Sequence, residues 1–386
     1  MNNRHPAATT RASSAMDKTY INRTLADLVR INSINPAFSN GSTSEREIAG
    51  YLADAFKALG MEVYRYEPEP GRVSVVGRRR GKGGGRSLML NGHIDTVAVD
   101  EMADPFSAEI RGNRLYGRGA YDMKGGIAAC MGAIKALGDE PLAGDVLIAA
   151  VADEEVASIG MSAVLGAHRT DGAIVTEPTE LAVCLACKGF SWIEIETEGR
   201  AAHGSRFDLG IDANMRMGRV LGALDDLERA LRARPPHALV GPPSLHVATL
   251  HGGTGASTYA AACKAVIERR MLPAETEAGV LAEIRDTIEV ARVRPLLTRR
   301  GFEARPDAPI VRALMDTAAR HLGAMPPVTG AGYWMDAALI AAAGIDTAVI
   351  GAIGAGAHAA EEWVDLDSVA LVATILADTA RAFCGT

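Results

Sequence analysis

Two patterns of hydrophobic and polar positions alternate along this chain. From about residue 20 to 186, segments with apolar residues three and four apart (NRTLADLVRI, EREIAGYLADAFKALG) alternate with the short apolar runs VSVVG and LMLNGHIDTV, followed by a helix from Met123 to about Leu137. Helices alternating with buried strands predict an α/β domain, doubly wound around a mixed sheet. From about Lys188 the order becomes strand FSWIEIETEG, helix DANMRMGRVLGALDDLERALRAR, strands SLHVATLHGG and YAAACKAVIERR, and helix ETEAGVLAEIRDTIEVAR. That β-α-β-β-α order predicts an inserted α+β domain of ferredoxin-like kind. After about Arg299 the first pattern returns with helices PIVRALMDTAARHLG and DAALIAAAG, strand TAVIGAI and a terminal helix from Leu366 to Phe383. The expected division is an α/β domain in two pieces, 17–187 and 299–386, an insert over 188–298, and a frayed tail over 1–16.

Length agrees with this division, because 386 residues exceed what one hydrophobic core of about 250–300 residues accommodates. A net charge of −7 with acids and bases interspersed leaves no polybasic face, which excludes nucleic acid as the principal partner. Five cysteines without dense spacing fit a reduced compartment. Neither a secretory signal nor an apolar run of roughly 18–20 residues is present, so a soluble cytoplasmic protein is expected, acting on small solutes and away from membranes. The glycine-rich GRRRGKGGGR, residues 77–86, departs from the phosphate-loop pattern and reads as a solvated hairpin.

Candidate chemistry gathers where apolar strands end. SLMLN leads into His93 and Asp95, DVLIAAVA into Asp153, Glu154 and Glu155, GAIVT into Glu177, and TAVIGAI towards the loop carrying His358. Ligand crevices of open α/β sheets lie beyond the carboxyl ends of strands, so distant segments would converge on one cleft. His93 and Asp95, two apart on a strand, share a face, and a carboxylate behind an imidazole is the usual support for a metal-bound histidine. Asp122, between flanking glycines and a helix, reads either as an N-cap or as a carboxylate bridging two cations. In Asp153-Glu154-Glu155 adjacent side chains diverge, so one can ligate while its neighbour serves as base; acids leaving a strand also commonly just enter solvent. Glu177 before Pro178, and His358 in a Gly-Ala loop, are individually ordinary. Jointly, two histidines and three carboxylates supply each of two metals with an imidazole and a carboxylate, plus a shared bridge. Nitrogen and oxygen donors without thiolate suit zinc, cobalt or manganese.

The ordered set GHIDTV, GRGAYDMKGG, DEE, TEPT and GAHAAEEWV resembles the family of acetylornithine deacetylases, succinyl-diaminopimelate desuccinylases, aminoacylases and glutamate carboxypeptidases. The resemblance implies that His93 and Glu177 bind one metal and Glu155 and His358 the other, with Asp122 bridging, Glu154 as general base and Asp95 behind His93. It also implies that the insert is a lid and homodimerisation domain. GRAAHGSR places His203 as an oxyanion-stabilising group offered to the partner subunit, and ERRMLP places Arg270 on the substrate carboxylate. Phe207, Ala260 and Ala352 stand where the family often has proline.

The expected reaction is attack of metal-activated water on the amide of an N-acyl amino acid, with Glu154 moving the proton to the departing amine. A dipeptidase or carboxypeptidase, or a desuccinylase, would use the same ligands. A metal-dependent binding protein is the non-enzymatic alternative, to be separated by whether Glu154→Gln loses turnover while keeping metal. A nucleotide-binding role rests on glycine-rich loops alone.

Overall fold

The computed structural model describes residues 16–99, 102–288 and 291–385. The expected tail over 1–16 lies outside them except for Met16. In chain order the first stretch contains α1 (Lys18–Arg30), α2 (Arg46–Ala58), β1 (Glu62–Tyr66), β2 (Ser74–Arg79), β3 (Leu88–His93), β4 (Glu109–Arg111), β5 (Arg114–Tyr116), α3 (Gly125–Leu137) and β6 (Val146–Val151). There follow α4 (Ile159–Ala167), β7 (Gly172–Val175), β8 (Val183–Cys187), β9 (Gly189–Glu198), α5 (Ala213–Arg232), β10 (Ser244–Gly252), β11 (Ala262–Met271), α6 (Glu277–Thr287) and β12 (Ala291–Arg299). The last stretch holds β13 (Phe302–Glu303), α7 (Pro309–Leu322), β14 (Val328–Ala331), α8 (Ala337–Ala342), β15 (Asp346–Val349), β16 (Gly354–Ala355), β17 (Trp363–Asp365) and α9 (Leu366–Cys384). These elements form two compact units, Met1–Gly160 with Gly351–Thr386, and Met161–Ile350.

In the first unit the strands run β1-β2-β6-β3, with β2 antiparallel to both its neighbours and β3 parallel to β6. Every residue of β3 and β6 is buried, which is why β6 reads as an unbroken apolar run and β3 opens on one, Leu88 to Leu90, rather than alternating. Helix α3 is buried on nearly all sides and packs on α1 and α9. A second small sheet, β16-β17-β5-β4, anchors the two loops that approach the end of β3. Asp17 and Asp365 cap α1 and α9 by accepting from Tyr20 N at 2.9 Å and Ser368 N at 2.8 Å.

The second unit has β7 and β15 parallel, β8 antiparallel to β15, β13 antiparallel to β8 and β14 parallel to it. It also holds an antiparallel sheet, β10-β11-β9-β12, whose one face is covered by α5 and α6 through Ile193, Ile195, Ile267, Met217 and Ile284. The β9-α5-β10-β11-α6-β12 order is the ferredoxin-like arrangement.

Three local expectations are corrected. The helix predicted from Met123 begins at Gly125, because residues 120–124 form a wide turn in which Asp122 and Met123 are not helical, so Asp122 caps nothing. The helix predicted through Arg292 ends at Thr287, and β12 follows as a fourth strand. Among the described residues β12 pairs only with β9, at the edge of the sheet, so it tolerates Pro295 and carries Arg292 and Arg294 outward; proline and charge disguise a strand in sequence. The glycine-rich 77–86 segment is not a hairpin, since β2 and β3 do not pair; Lys82 N and Gly83 N instead donate to Leu142 O and Ala143 O at 2.9 and 2.8 Å. No helix among the described residues is long and apolar enough to cross a membrane.

Candidate metal centre

Strand β3 delivers His93, buried at 2 % exposure, to the centre of the first unit. Its Nδ1 lies 3.0 Å from the backbone oxygen of Asp95 and 3.6 Å from Asp95 Oδ1, which fixes the ring and turns Nε2 outward. Nε2 faces Asp122 Oδ1 at 3.0 Å. The other oxygen, Asp122 Oδ2, faces His358 Nε2 at 3.4 Å, and His358 Nε2 is 3.2 Å from Glu155 Oε2. One carboxylate thus presents its two oxygens to two different histidines. His93, Asp122 and Glu155 each offer one donor atom within 4.8 Å of the others.

Electrostatics agree with a site made for cations. Burial works against the Asp122 charge, but the two imidazoles outweigh it and hold the carboxyl well below its usual range. Between Asp122 and Glu155, the His358 imidazole is held up at about 10. Burial raises Glu155, whose Oε1 is enclosed without a hydrogen-bond partner among the described residues. An orphaned carboxylate oxygen, a carboxylate shared by two histidines and donors of nitrogen and oxygen only fit divalent metal. A cavity of about 390 Å³ lined by Phe38, Val97, Arg118 and His358 opens beside the site. A larger one, about 690 Å³, lies among α1, α2 and α3 and is lined by none of these donors.

Two buried carboxylate systems, of which sequence reading named only Asp95 and Asp153, hold the donors in place. Behind β3, the enclosed Asp95 accepts from Glu154 N at 3.1 Å on Oδ1, and from Glu155 N at 3.3 Å and Asn35 Nδ2 at 2.8 Å on Oδ2. Asn35 Nδ2 also donates to Asp153 Oδ1 at 3.0 Å, and Asn35 Oδ1 accepts from Arg72 Nη1 at 2.9 Å. Arg72 completes the layer by pairing with Asp153 and, at 2.9 Å, with Glu45. Within Asp153-Glu154-Glu155 the duties are therefore divided: Asp153, at φ +73°, turns inward to the arginine, while Glu155 reaches the centre. Burial opposes the Asp95 charge, yet His93, Asn35 and Arg72 prevail and lower its pKa.

On the opposite side, Glu362 is fully enclosed and its carboxylate receives four donors. Oε1 accepts from Tyr121 N and Asp122 N at 2.9 and 3.0 Å; Oε2 accepts from Arg118 Nη1 and Gly119 N at 2.8 and 3.0 Å. Arg118 also donates to Ala98 O and Ala359 O, joining the Asp122 loop to the His358 loop. At Gly119, φ is +79° and a Cβ would meet Thr96 at 2.8 Å, so only glycine permits this turn. The buried amine of Lys124, pushed down to about 7 by its enclosure, ties the same loop to α1 by donating to Leu28 O and Ile31 O at 3.0 Å each.

Of the five expected ligands, His93, Asp122, Glu155 and His358 meet within the first unit, with Asp95 behind His93 and Glu154 beside Glu155. Glu177 is buried at the end of β7 in the second unit. His203, also there, is exposed and engages Ser205 Oγ at 2.8 Å through Nδ1. Arg270 lies on β11 with Nε on Glu268 Oε1 at 2.6 Å; its neighbour Arg269 points the other way, fully buried against Glu275 and Glu283.

Comparison with known proteins gives concordant results. The sequence profile of peptidase family M20/M25/M40 matches residues 89–382. The chain is 30% identical to an acetylornithine deacetylase of Myxococcus xanthus, across 94% of this chain and 97% of that protein. Among solved structures, an aminopeptidase of Bacillus cereus is similar with a TM-score of 0.78 at 18% identity, covering 96% of this chain and 100% of that one. A dinuclear metal binding peptidase of Bacillus subtilis is similar at 0.71 and 16% identity, over 94% and 97%. At these identities the two structures speak to fold alone.

Proposed function

The chain belongs to peptidase family M20/M25/M40, and from that premise we propose that it deacylates N-acyl amino acids with two divalent metal ions, zinc foremost and cobalt or manganese as alternatives. It is a metal-dependent hydrolase of amide bonds. The observation that carries the proposal is Asp122, whose two oxygens face His93 and His358 separately. In this reading Asp122, Glu155 and His358 would hold one ion, and Asp122, His93 and Glu177 the other. Bound metal supplies a water acidic enough to lose its proton near neutral pH and an electrophile for the amide oxygen.

The remaining work falls to side chains. Glu154 takes the proton of the attacking water and returns it to the leaving amine; its backbone N–H is fixed by Asp95, which also orients His93. Arg270 holds the substrate carboxylate with its planar fork. His203 polarises the amide oxygen from the partner subunit, across a homodimer formed by lid segment 188–298. Support for the dimer is the open edge of β10, exposed from His246 to Gly252, and the exposed apolar side chains of Phe207, Met215 and Leu250. Buried cysteines without disulfides support a cytoplasmic setting.

The test is amine release from N-acetyl, N-succinyl and dipeptide substrates by chelated and metal-restored enzyme. Glu154→Gln should lower kcat by about 10²–10⁴ while the bound-metal count stays unchanged. Full turnover in that variant, or in chelated enzyme, would reject the mechanism.

A further inference from the structure

The face of the β10-β11-β9-β12 sheet turned away from α5 and α6 carries an ordered aromatic and ionic cluster. On β9 and β11, Ile193, Ile195, Ala265 and Ile267 face the helices, so the intervening Phe190, Trp192, Glu268 and Arg270 face away. Register pairs Glu268 with Trp192 and Arg270 with Phe190. The rings of Phe190 and Trp192 lie 5.1 Å apart, and the Arg270 guanidinium sits 5.7 Å over Phe190. Trp334 meets Phe190 edge-on at 6.1 Å, and its neighbour Tyr333 donates through Oη to Pro178 O at 3.2 Å. Pro178 follows Glu177, so this face continues, within one unit, to the loop of a proposed metal ligand.

We propose that this face is the side-chain subsite of the substrate and that it selects N-acyl amino acids with aromatic or bulky apolar side chains over those with basic ones. The inference rests on the hydrolase reading above and sharpens its substrate. Arg270 spends only Nε on Glu268, leaving its Nη groups to a carboxylate. Trp192 and Trp334 offer flat apolar walls around the buried Phe190, with Trp192 still 36 % exposed. Glu268, the acid of the cluster, has both oxygens engaged, by Arg270 Nε at 2.6 Å and Trp192 Nε1 at 2.8 Å. An ammonium arriving beside Arg270 would therefore meet a like charge, with the adjacent Glu268 carboxylate already engaged.

The experiment compares kcat/KM of the metal-loaded enzyme for N-acetyl-L-phenylalanine, N-acetyl-L-ornithine and N-acetyl-L-alanine. The phenylalanine substrate should lead the ornithine one by about tenfold or more. Trp334→Ala should remove about tenfold of that, through KM, and leave the alanine substrate within about twofold. Trp192→Ala, at a half-exposed position, serves if Trp334→Ala does not fold. A lead for the ornithine substrate, or an equal loss on all three, overturns the proposal. Failure of the hydrolase reading is distinguishable: if nothing turns over, calorimetric titration of N-acetyl-L-phenylalanine still reads the subsite. Saturable binding weakened about tenfold in the variant sustains it, and absence of binding in the parent overturns it.

Discussion

Arg118–Glu362 in the first unit and Arg206–Asp208 in the second are the same pair of functional groups, each closed at 2.8 Å. The side chains of the first are 4% and 0% exposed, those of the second 53% and 51%. Glu362 is ringed by three backbone N–H groups besides the guanidinium, so every lone pair has a use and the loop bearing Asp122 has one shape. Arg206 and Asp208 stand two residues apart in the His203 loop, in water that competes for both. Equal length does not mean equal consequence: burial turns an ion pair into a positioning device, and exposure leaves it a surface ornament of the chain.

The sharpest way to break the contrast is Arg118→Met, which strands a buried carboxylate and should cost about 3–5 kcal/mol in urea unfolding. A cost below about 1 kcal/mol would mean the loop holds itself. Glu362→Gln comes next, because an amide must turn an NH₂ towards N–H donors; a cost of about 1–3 kcal/mol is expected, with weaker metal affinity by calorimetry. Unchanged affinity would detach the clamp from the centre. Glu45, in the second buried system, sharpens the same point through pH. Burial and the nearby Asp95 charge push its carboxyl up to about 8 against the pull of Arg72. The stability it contributes is full below about pH 4.5 and is lost as pH rises through about 8. Glu45→Gln should flatten that part of the stability profile, and an identical profile would refute the shift. Smallest of all, Arg206→Ala should move stability by about 1 kcal/mol or less, with the little effect there is vanishing in high salt.

What the sequence disclosed follows the same division. His93, Asp95, Asp122, Glu154, Glu155 and His358 stood out because each belongs to a short local motif at a strand end or glycine loop, and the structure draws them together within one unit. Asn35, Arg72, Arg118 and Glu362 did not, because their meaning lies in partners far along the chain, as in Asn35 with Asp95, 60 residues away, and Arg118 with Glu362, 244 away. The doublet Glu361-Glu362 offered only a faint cue, one acid exposed and the next enclosed at 1 %. Strand β12 hid for a related reason, since its identity comes from pairing with β9 rather than from its own proline- and arginine-bearing sequence.

The four donors gathered on Glu362 carry a consequence for the life of the protein. A loop organised by its own carboxylate rather than by its cargo does not have to refold when ions leave, unlike a small domain whose fold is its metal site. Stripping and reloading become exchange reactions on a standing scaffold.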